Sequence, residues 1–392
     1  MLKFNPLVTD LPAPPIPEIG AWARAYEGTQ GPLIDLSQAA PGFAPHPDLL
    51  AALGEAAASK KAAGYGPIAG EPRLRSLYAA EICALYGADI GAQNVQITAG
   101  CNQAFVACAI ALLAPGETML MTNPYYFNHQ TTLSMLGMQV DLVPCDAASG
   151  FLPDLDALEQ AMRPGVRALA LVSPNNPTGA IYPPDRLAAI FDLCRRKRIW
   201  LILDETYRDF LPEGAGAPHG LFAEHGWQNH LVGLYSFSKS CCIPGHRLGA
   251  ITAGVNLLAQ VEKVMDNLQI CAPRAAQIGL ARMLPALKPW QAENRREIMQ
   301  RGQAMAAALA GLEDWEIVSL GAYFAYVRHP YPDIAASFVA EKLAQIGGVL
   351  TVPGDVFGAA QEAYLRFAFA NVDAQTIATL EGRLSGFALP GI

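Results

Sequence analysis

Lys239 stands in SFSKSCCIPGHRLGA, residues 236 to 250, with Ser236 and Ser238 beside it and Arg247 eight positions further on. A lysine that forms a Schiff base must meet a carbonyl carbon as a neutral amine. It therefore belongs in a crowded pocket where desolvation and neighbouring cations lower its pKa. The two serines supply hydroxyls for a phosphate, and Arg247 a charge-assisted contact for the same dianion. The pattern reads as a site for a phosphorylated aldehyde. A solvated loop lysine is the plain alternative, and an isolated SxSK match does not separate the two.

Two more polar clusters bear on that choice. SPNNPTG, residues 173 to 179, follows the apolar run Ala168 to Val172, and DETYRDF, residues 204 to 210, follows Ile199 to Leu203. Both sit just past what read as buried parallel strands, the place where open α/β sheets bind ligands. An aspartate there suits a pyridine ring, because its carboxylate keeps the ring nitrogen protonated and the ring then withdraws electrons from a substrate. The competing reading of Asp204 is a helix cap or a strand-end turn.

Taken in order, seven segments resemble the fold-type I pyridoxal 5′-phosphate (PLP) enzymes, in particular the class I/II aminotransferases of the aspartate aminotransferase superfamily. They are YGPIAGEPRLR (65–75), TAGCNQA (98–104), NPYYFNH (123–129), NNPTG, DETY, SFSK with its following arginine, and YLRFAFAN (364–371). The likeness spans Leu36 to Asn371. It implies an α/β protein with a large domain, a mainly parallel seven-stranded sheet between helices, and a smaller α+β domain. It also implies PLP as cofactor and an aminotransferase that moves the α-amino group of an amino acid to a 2-oxo acid in ping-pong half-reactions through a Lys239 Schiff base.

The resemblance assigns roles to individual residues. Ala99, Gly100 and Cys101 offer backbone N–H groups to the phosphate at the start of a helical stretch, Asn102 to Leu113, with the helix dipole behind them. Ser236, Ser238 and Arg247 complete the phosphate site, and Tyr65 reaches it from the neighbouring subunit of a homodimer. Tyr126 covers one face of the cofactor ring, with Tyr125 as the alternative. His129 supports Asp204 from behind. Asn176 and Tyr207 contact the cofactor's 3-oxygen, and Arg366 clamps the substrate carboxylate. Arg366 also has a physical reading of its own: a charge set among apolar residues in LRFAFA needs an anion, either the substrate or a structural carboxylate.

One departure concerns SQAAPGF (37–43), where relatives read GxPDF. Ala39 occupies the expected glycine position, narrowing the substrate pocket, while Gly42 offers backbone freedom nearby. No second arginine is placed for a substrate side-chain carboxylate, which weakens a dicarboxylate assignment. Phe43, Tyr125 and Tyr323 instead suggest a neutral or aromatic side chain, a reading that core packing explains equally well. Cys241 and Cys242 are expected to line the pocket.

Composition sets the limits. The 392 residues are 52% hydrophobic and 16% charged, enough for a large core in two domains. A net charge of −8 leaves no basic footprint for nucleic acid or an anionic membrane. The longest apolar run, Ala104 to Ala114, is too short for the roughly 20 residues of a bilayer span. The N-terminus lacks the apolar core of a signal peptide, so a cytoplasmic location is expected. The eight cysteines show neither a CxxC pair nor a zinc spacing, and no metal is expected.

The expected division is residues 1–44 as N-terminal arm and part of the small domain, 45–284 as the PLP-binding domain, and 285–392 as the C-terminal small domain. The arm, Pro6 to Pro17, reads as rigid and proline-stiffened. Arg186 to Arg198 reads as a helix. Two other functions compete: a PLP lyase on the same scaffold, acting as a β C–S lyase or a cyclopropane-forming synthase, and a non-catalytic effector-binding module. The second is disfavoured because no helix-turn-helix segment is found.

Overall fold

The structure is a computed structural model that describes residues 2–391. A short strand, β1 (Ile34–Asp35), precedes a seven-stranded sheet. That sheet contains β2 (Val95–Thr98), β3 (Thr118–Asn123), β4 (Gln139–Pro144), β5 (Val166–Val172), β6 (Trp200–Asp204), β7 (Leu231–Ser236) and β8 (Gly249–Thr252). Its order is β2-β8-β7-β6-β5-β3-β4. From β4 to β7 the neighbours pair in parallel, and β8 runs antiparallel to both β7 and β2.

The central strands are apolar on both faces because both faces are covered. Leu169, Leu171, Leu201 and Leu203 enter one core, while Ala168, Ala170 and Ile202 enter the other. This is the period of two expected for a pleated strand with helices on each side. The helix Pro184–Lys197 starts two residues before the predicted point, since Pro184 takes its first turn, and stops where Arg198 turns left-handed at φ 56°. Arg195, Arg196 and Lys197 in its last turn favour the negative end of its dipole.

A third core lies around the C-terminal strands β9 (Glu316–Gly321), β10 (Phe324–Arg328), β11 (Val349–Leu350), β12 (Val352–Pro353) and β13 (Tyr364–Ala368). Four of them form an antiparallel sheet in the order β12-β13-β10-β9, and β11 pairs in parallel with β1. Ile34 and Leu36 are buried in this core with residues of the long helix Lys288–Leu309, so the start of the chain packs with its end.

The proline-rich arm differs from the expected extended form. Its prolines start helices, Pro6–Thr9 and Pro15–Arg24, each with proline in the first turn, where a missing N–H costs nothing. Among the described residues no helix is long and apolar enough to cross a membrane.

Gly179, in the turn after β5, holds the two sheets close. It has φ +76°, and an added Cβ would lie 2.6 Å from Gly321 N and 2.8 Å from Phe324 O. Gly179→Ala is expected to cost about 2–4 kcal/mol, read as a lower urea midpoint, because strain and overlap with rigid backbone add. Gly165→Ala, at φ +99° with nothing within 4 Å, tests strain alone and is expected to cost about 1 kcal/mol.

Candidate active site

The polar residues converge beyond the carboxyl ends of β5, β6 and β7, as the strand reading requires. Two adjoining cavities open there. The inner one, about 150 Å³, is bounded by Cys101, Tyr126, Asp204, Ser236, Ser238 and Arg247 among others. The outer one, about 350 Å³, reaches Arg366, Ala39 and the Pro14–Ile16 segment of the arm. Lys239, Tyr207, Asn176 and Tyr126 line both.

Lys239 sits in the short helix Phe237–Ser240, which Ser236 caps by accepting from Ser238 N. Its Nζ donates to the Ala39 carbonyl and lies 5.9 Å from the Tyr207 ring centre. Burial, followed by the charges of Arg366 and Arg247, pushes its pKa down to about 8, against an opposing pull from Asp204. The amine is thus poised to be a nucleophile near neutral pH.

Asp204 ends β6 with its carboxylate buried. Burial pushes its pKa up, but His129 and Thr206 outweigh that and hold it below the ordinary value. Oδ1 accepts from Thr206 N at 3.0 Å and from Thr206 Oγ1 at 2.7 Å. Oδ2 lies 3.4 Å from His129 Nε2 and accepts from Cys101 Sγ at 3.4 Å. His129 is itself stacked on Phe105 with ring centres 3.8 Å apart. The aspartate is therefore an ionised acceptor fixed on several sides.

At the opposite end of the inner cavity, the helix Cys101–Leu112 begins one residue earlier than expected, with Gly100 before it at φ +87°. A Cβ on Gly100 would lie 2.3 Å from Arg247 Nη2, so only glycine leaves room for that guanidinium. Ser238 Oγ is buried with no partner. One expectation needs correction here: the Ala99 N–H is not free for an anion, because it donates to Gln103 Oε1 at 2.6 Å.

In the outer cavity, Arg366 on β13 is buried, which lowers its pKa to about 10. Nη1 donates to Asn176 Oδ1 at 2.8 Å and Nη2 to the Ser37 carbonyl at 2.6 Å, while Nε has no partner. No carboxylate accepts from it among the described residues, so the structural-partner reading fails. A buried guanidinium held only by neutral oxygens favours an anionic ligand.

Tyr126, rather than Tyr125, lines both cavities; its hydroxyl accepts from Asn128 Nδ2 at 2.7 Å. Tyr65 is 80% exposed and lines neither cavity of its own chain. Phe43 packs under Arg301, and Tyr323 is buried against Tyr207 and Phe210, so neither forms the pocket wall. Cys241 and Cys242 are likewise buried outside both cavities, and burial raises the pKa of each thiol. The thiol that does reach the site is Cys101. Gly42 serves a close approach rather than an unusual φ, since a Cβ there would lie 2.4 Å from Asn371 O.

Sequence reasoning missed Thr206, Cys101 as an Asp204 partner, and the arm. Thr206 had a local signal, because Asp-x-Thr is an Asx-turn pattern in which the side chain accepts from the residue two on. The contacts of Cys101 and the arm span more than a hundred residues and leave no local trace.

A family model described as aminotransferase class I and II matches residues 31–384. A valine–pyruvate aminotransferase of Mycobacterium tuberculosis is 30% identical over 91% of this chain and 92% of its own. The aromatic aminotransferase ISS1 of Arabidopsis thaliana is 29% identical over 82% of this chain and 80% of its own. Among solved structures, an aminotransferase from Mycobacterium tuberculosis superposes with TM-score 0.88 at 26% identity, covering 98% of each chain.

The lowered Lys239 pKa has a direct test. Reductive methylation of the ligand-free protein, followed by peptide mass spectrometry, is expected to modify Lys239 at a rate that rises with pH to half-maximum near 8, below the ordinary lysine value of 10.5. Asp204→Asn removes the pull that favours the charged form and moves that midpoint lower; an unchanged or higher midpoint refutes the assigned electrostatics.

Proposed function

This chain belongs to the class I and II aminotransferases, and we propose that the paired cavities around Lys239 are where it exchanges the amino group of an amino acid for the oxygen of a 2-oxo acid. The observation that supports this most is a buried lysine, its pKa near 8, set between an ionised buried aspartate and two arginines. Members of this family use PLP, and the residues fit that group. The cradle at Gly100 that a Cβ would fill, the orphaned Ser238 hydroxyl and the Arg247 charge suit its phosphate. Ser236, Cys101 and Gly100 complete that end, and Asp204 suits a ring nitrogen that bears a proton. Asn176 and Tyr207 lie where a ring oxygen needs them, and Tyr126 supplies an aromatic face.

When bound, PLP supplies an aldehyde for an amino group and an electron-withdrawing ring that stabilises negative charge at Cα. The chain supplies the rest. Lys239 Nζ, kept largely neutral by burial and by Arg366 and Arg247, is the nucleophile and the base that takes and returns the Cα proton. Asp204, held ionised by His129 and Thr206, keeps a proton on the ring nitrogen. Arg366, with its Nε free and its two other nitrogens fixed by Asn176 and Ser37, binds the α-carboxylate and orients Cα toward Lys239.

Tyr65, exposed and far from its own site's lining, is proposed to complete the phosphate site of a second copy in a homodimer. Arg274 braces that segment, donating through Nη1 to the carbonyls of Lys61 and Tyr65 and through Nε to Glu71. All eight cysteines are free, which fits a reducing, cytoplasmic setting. The proposed division into residues 1–44, 45–284 and 285–392 follows the cores, with the first segment shared between arm and C-terminal core.

Lys239→Ala is expected to abolish both the visible absorbance that PLP gives on binding the wild type and transamination; near wild-type turnover would refute the assignment. Arg366→Met is expected to keep PLP binding but to lower kcat/KM about 100-fold or more, because a buried charge contact to the substrate is lost. Steady-state assays with an amino acid and a 2-oxo acid check both.

A further inference from the structure

The outer cavity also carries information about the substrate side chain, an inference that rests on the transaminase reading above. Once the α-carboxylate is on Arg366 and the amine is near Lys239, the rest of the amino acid must occupy the remaining walls. Those walls are Pro14, Pro15 and Ile16 of the arm, Ala39 and Ala40, and Phe127. The polar groups at the rim, including Gln38 and Asn128, are neutral. Lys239 and Arg366 are the charged side chains in the lining, and both are committed to the reacting end of the substrate.

A side-chain carboxylate or ammonium placed there would be desolvated without a counter-ion. The arm deepens this effect by covering the opening: Pro15 and Ile16 are half-buried, and Ile16 is anchored on the core that contains Ile19, Leu350 and Phe357. Burying a charge without a partner costs far more than the Coulomb attraction of distant groups returns. An apolar side chain gains from the same walls, roughly 25 cal/mol for each Å² removed from water. We propose that this chain takes amino acids with uncharged, apolar side chains, and that the Pro14–Ile16 segment of the arm is the specificity-determining wall. The three aromatic residues expected to set this preference do not line the cavity; proline, isoleucine and alanine methyl groups replace them.

The test uses PLP-loaded enzyme and single-turnover absorbance changes with leucine, valine, methionine and phenylalanine against aspartate, glutamate, lysine and arginine. The expected result is a preference of about 100-fold or more in the second-order rate constant for the apolar group over every charged member. Aspartate or glutamate reacting within about 10-fold of leucine overturns the inference while leaving transamination standing, because a cation would then have to reach the cavity from elsewhere. PLP-loaded enzyme that converts no amino acid overturns the transaminase reading itself. Gln38→Arg, an exposed position at the rim, gives an independent check. It is expected to raise the glutamate rate about 10-fold or more with leucine turnover retained, and an unchanged glutamate rate removes Gln38 from the side-chain end.

Discussion

Positive charge in excess of its protein partners governs this site. Lys239, Arg247 and Arg366 face two small connected cavities, and Asp204 is the one carboxylate that lines them. Mutual repulsion and burial lower the Lys239 pKa, and burial lowers that of Arg366. An arrangement like this is stable only if something relieves it. Loss of the lysine proton is one relief, and anions at the two arginines are the other. The chemistry requires both, since a neutral amine is the reactive species and a phosphate and a carboxylate are the groups to be held. The same strain on the ligand-free site therefore acts as affinity for cofactor and substrate.

The fold delivers these charges through strand ends. β5, β6 and β7 pair in parallel and bring Asn176, Asp204 and Lys239 to one edge of the sheet, while β13 brings Arg366 from the other sheet. The Arg366–Asn176 bond thus joins the two sheets at the reacting centre, and the close approach of Gly179 to Gly321 permits it. Glu205, next to Asp204, points into a separate buried network with His219 at 3.2 Å, Arg208 and Tyr86. Alternation along the strand separates two adjacent carboxylates by role: one faces the cavity and the other ties the sheet to the helix Pro72–Tyr86.

Much of this was legible in the residues. The apolar runs before NNPTG and DETY became β5 and β6, and Asp204, Lys239, Asn176, Tyr207 and Arg366 were named before any coordinates placed them. What was legible was local: a strand end, a helix cap, a charge in an apolar run. Facing was not. Phe43, Tyr323, Cys241 and Cys242 lie close in sequence to site residues yet turn into cores, because burial of an apolar side chain is decided by whichever core is nearest. The Ala99 N–H was lost to Gln103 one helical turn on. The arm's prolines were taken for an extended stiffener, although proline at the first turn starts a helix as readily.

The alanine at position 39 shows how a departure from pattern can leave function intact. Its methyl group borders the outer cavity, but the contact that reaches the chemistry is its carbonyl, which accepts from Lys239 Nζ. Two residues earlier the Ser37 carbonyl accepts from Arg366 Nη2. One stretch of main chain, residues 37 to 39, thus supplies oxygens to both cations. Such contacts are blind to side-chain identity, so an alanine in place of glycine alters the cavity wall without removing the acceptor. It also binds that stretch to the state of the site. A lysine engaged with a carbonyl carbon has fewer protons to donate, and the Ala39 oxygen then needs another partner. The segment between the arm and the main sheet is in this way coupled to the occupancy of Lys239, through a bond between atoms 200 positions apart.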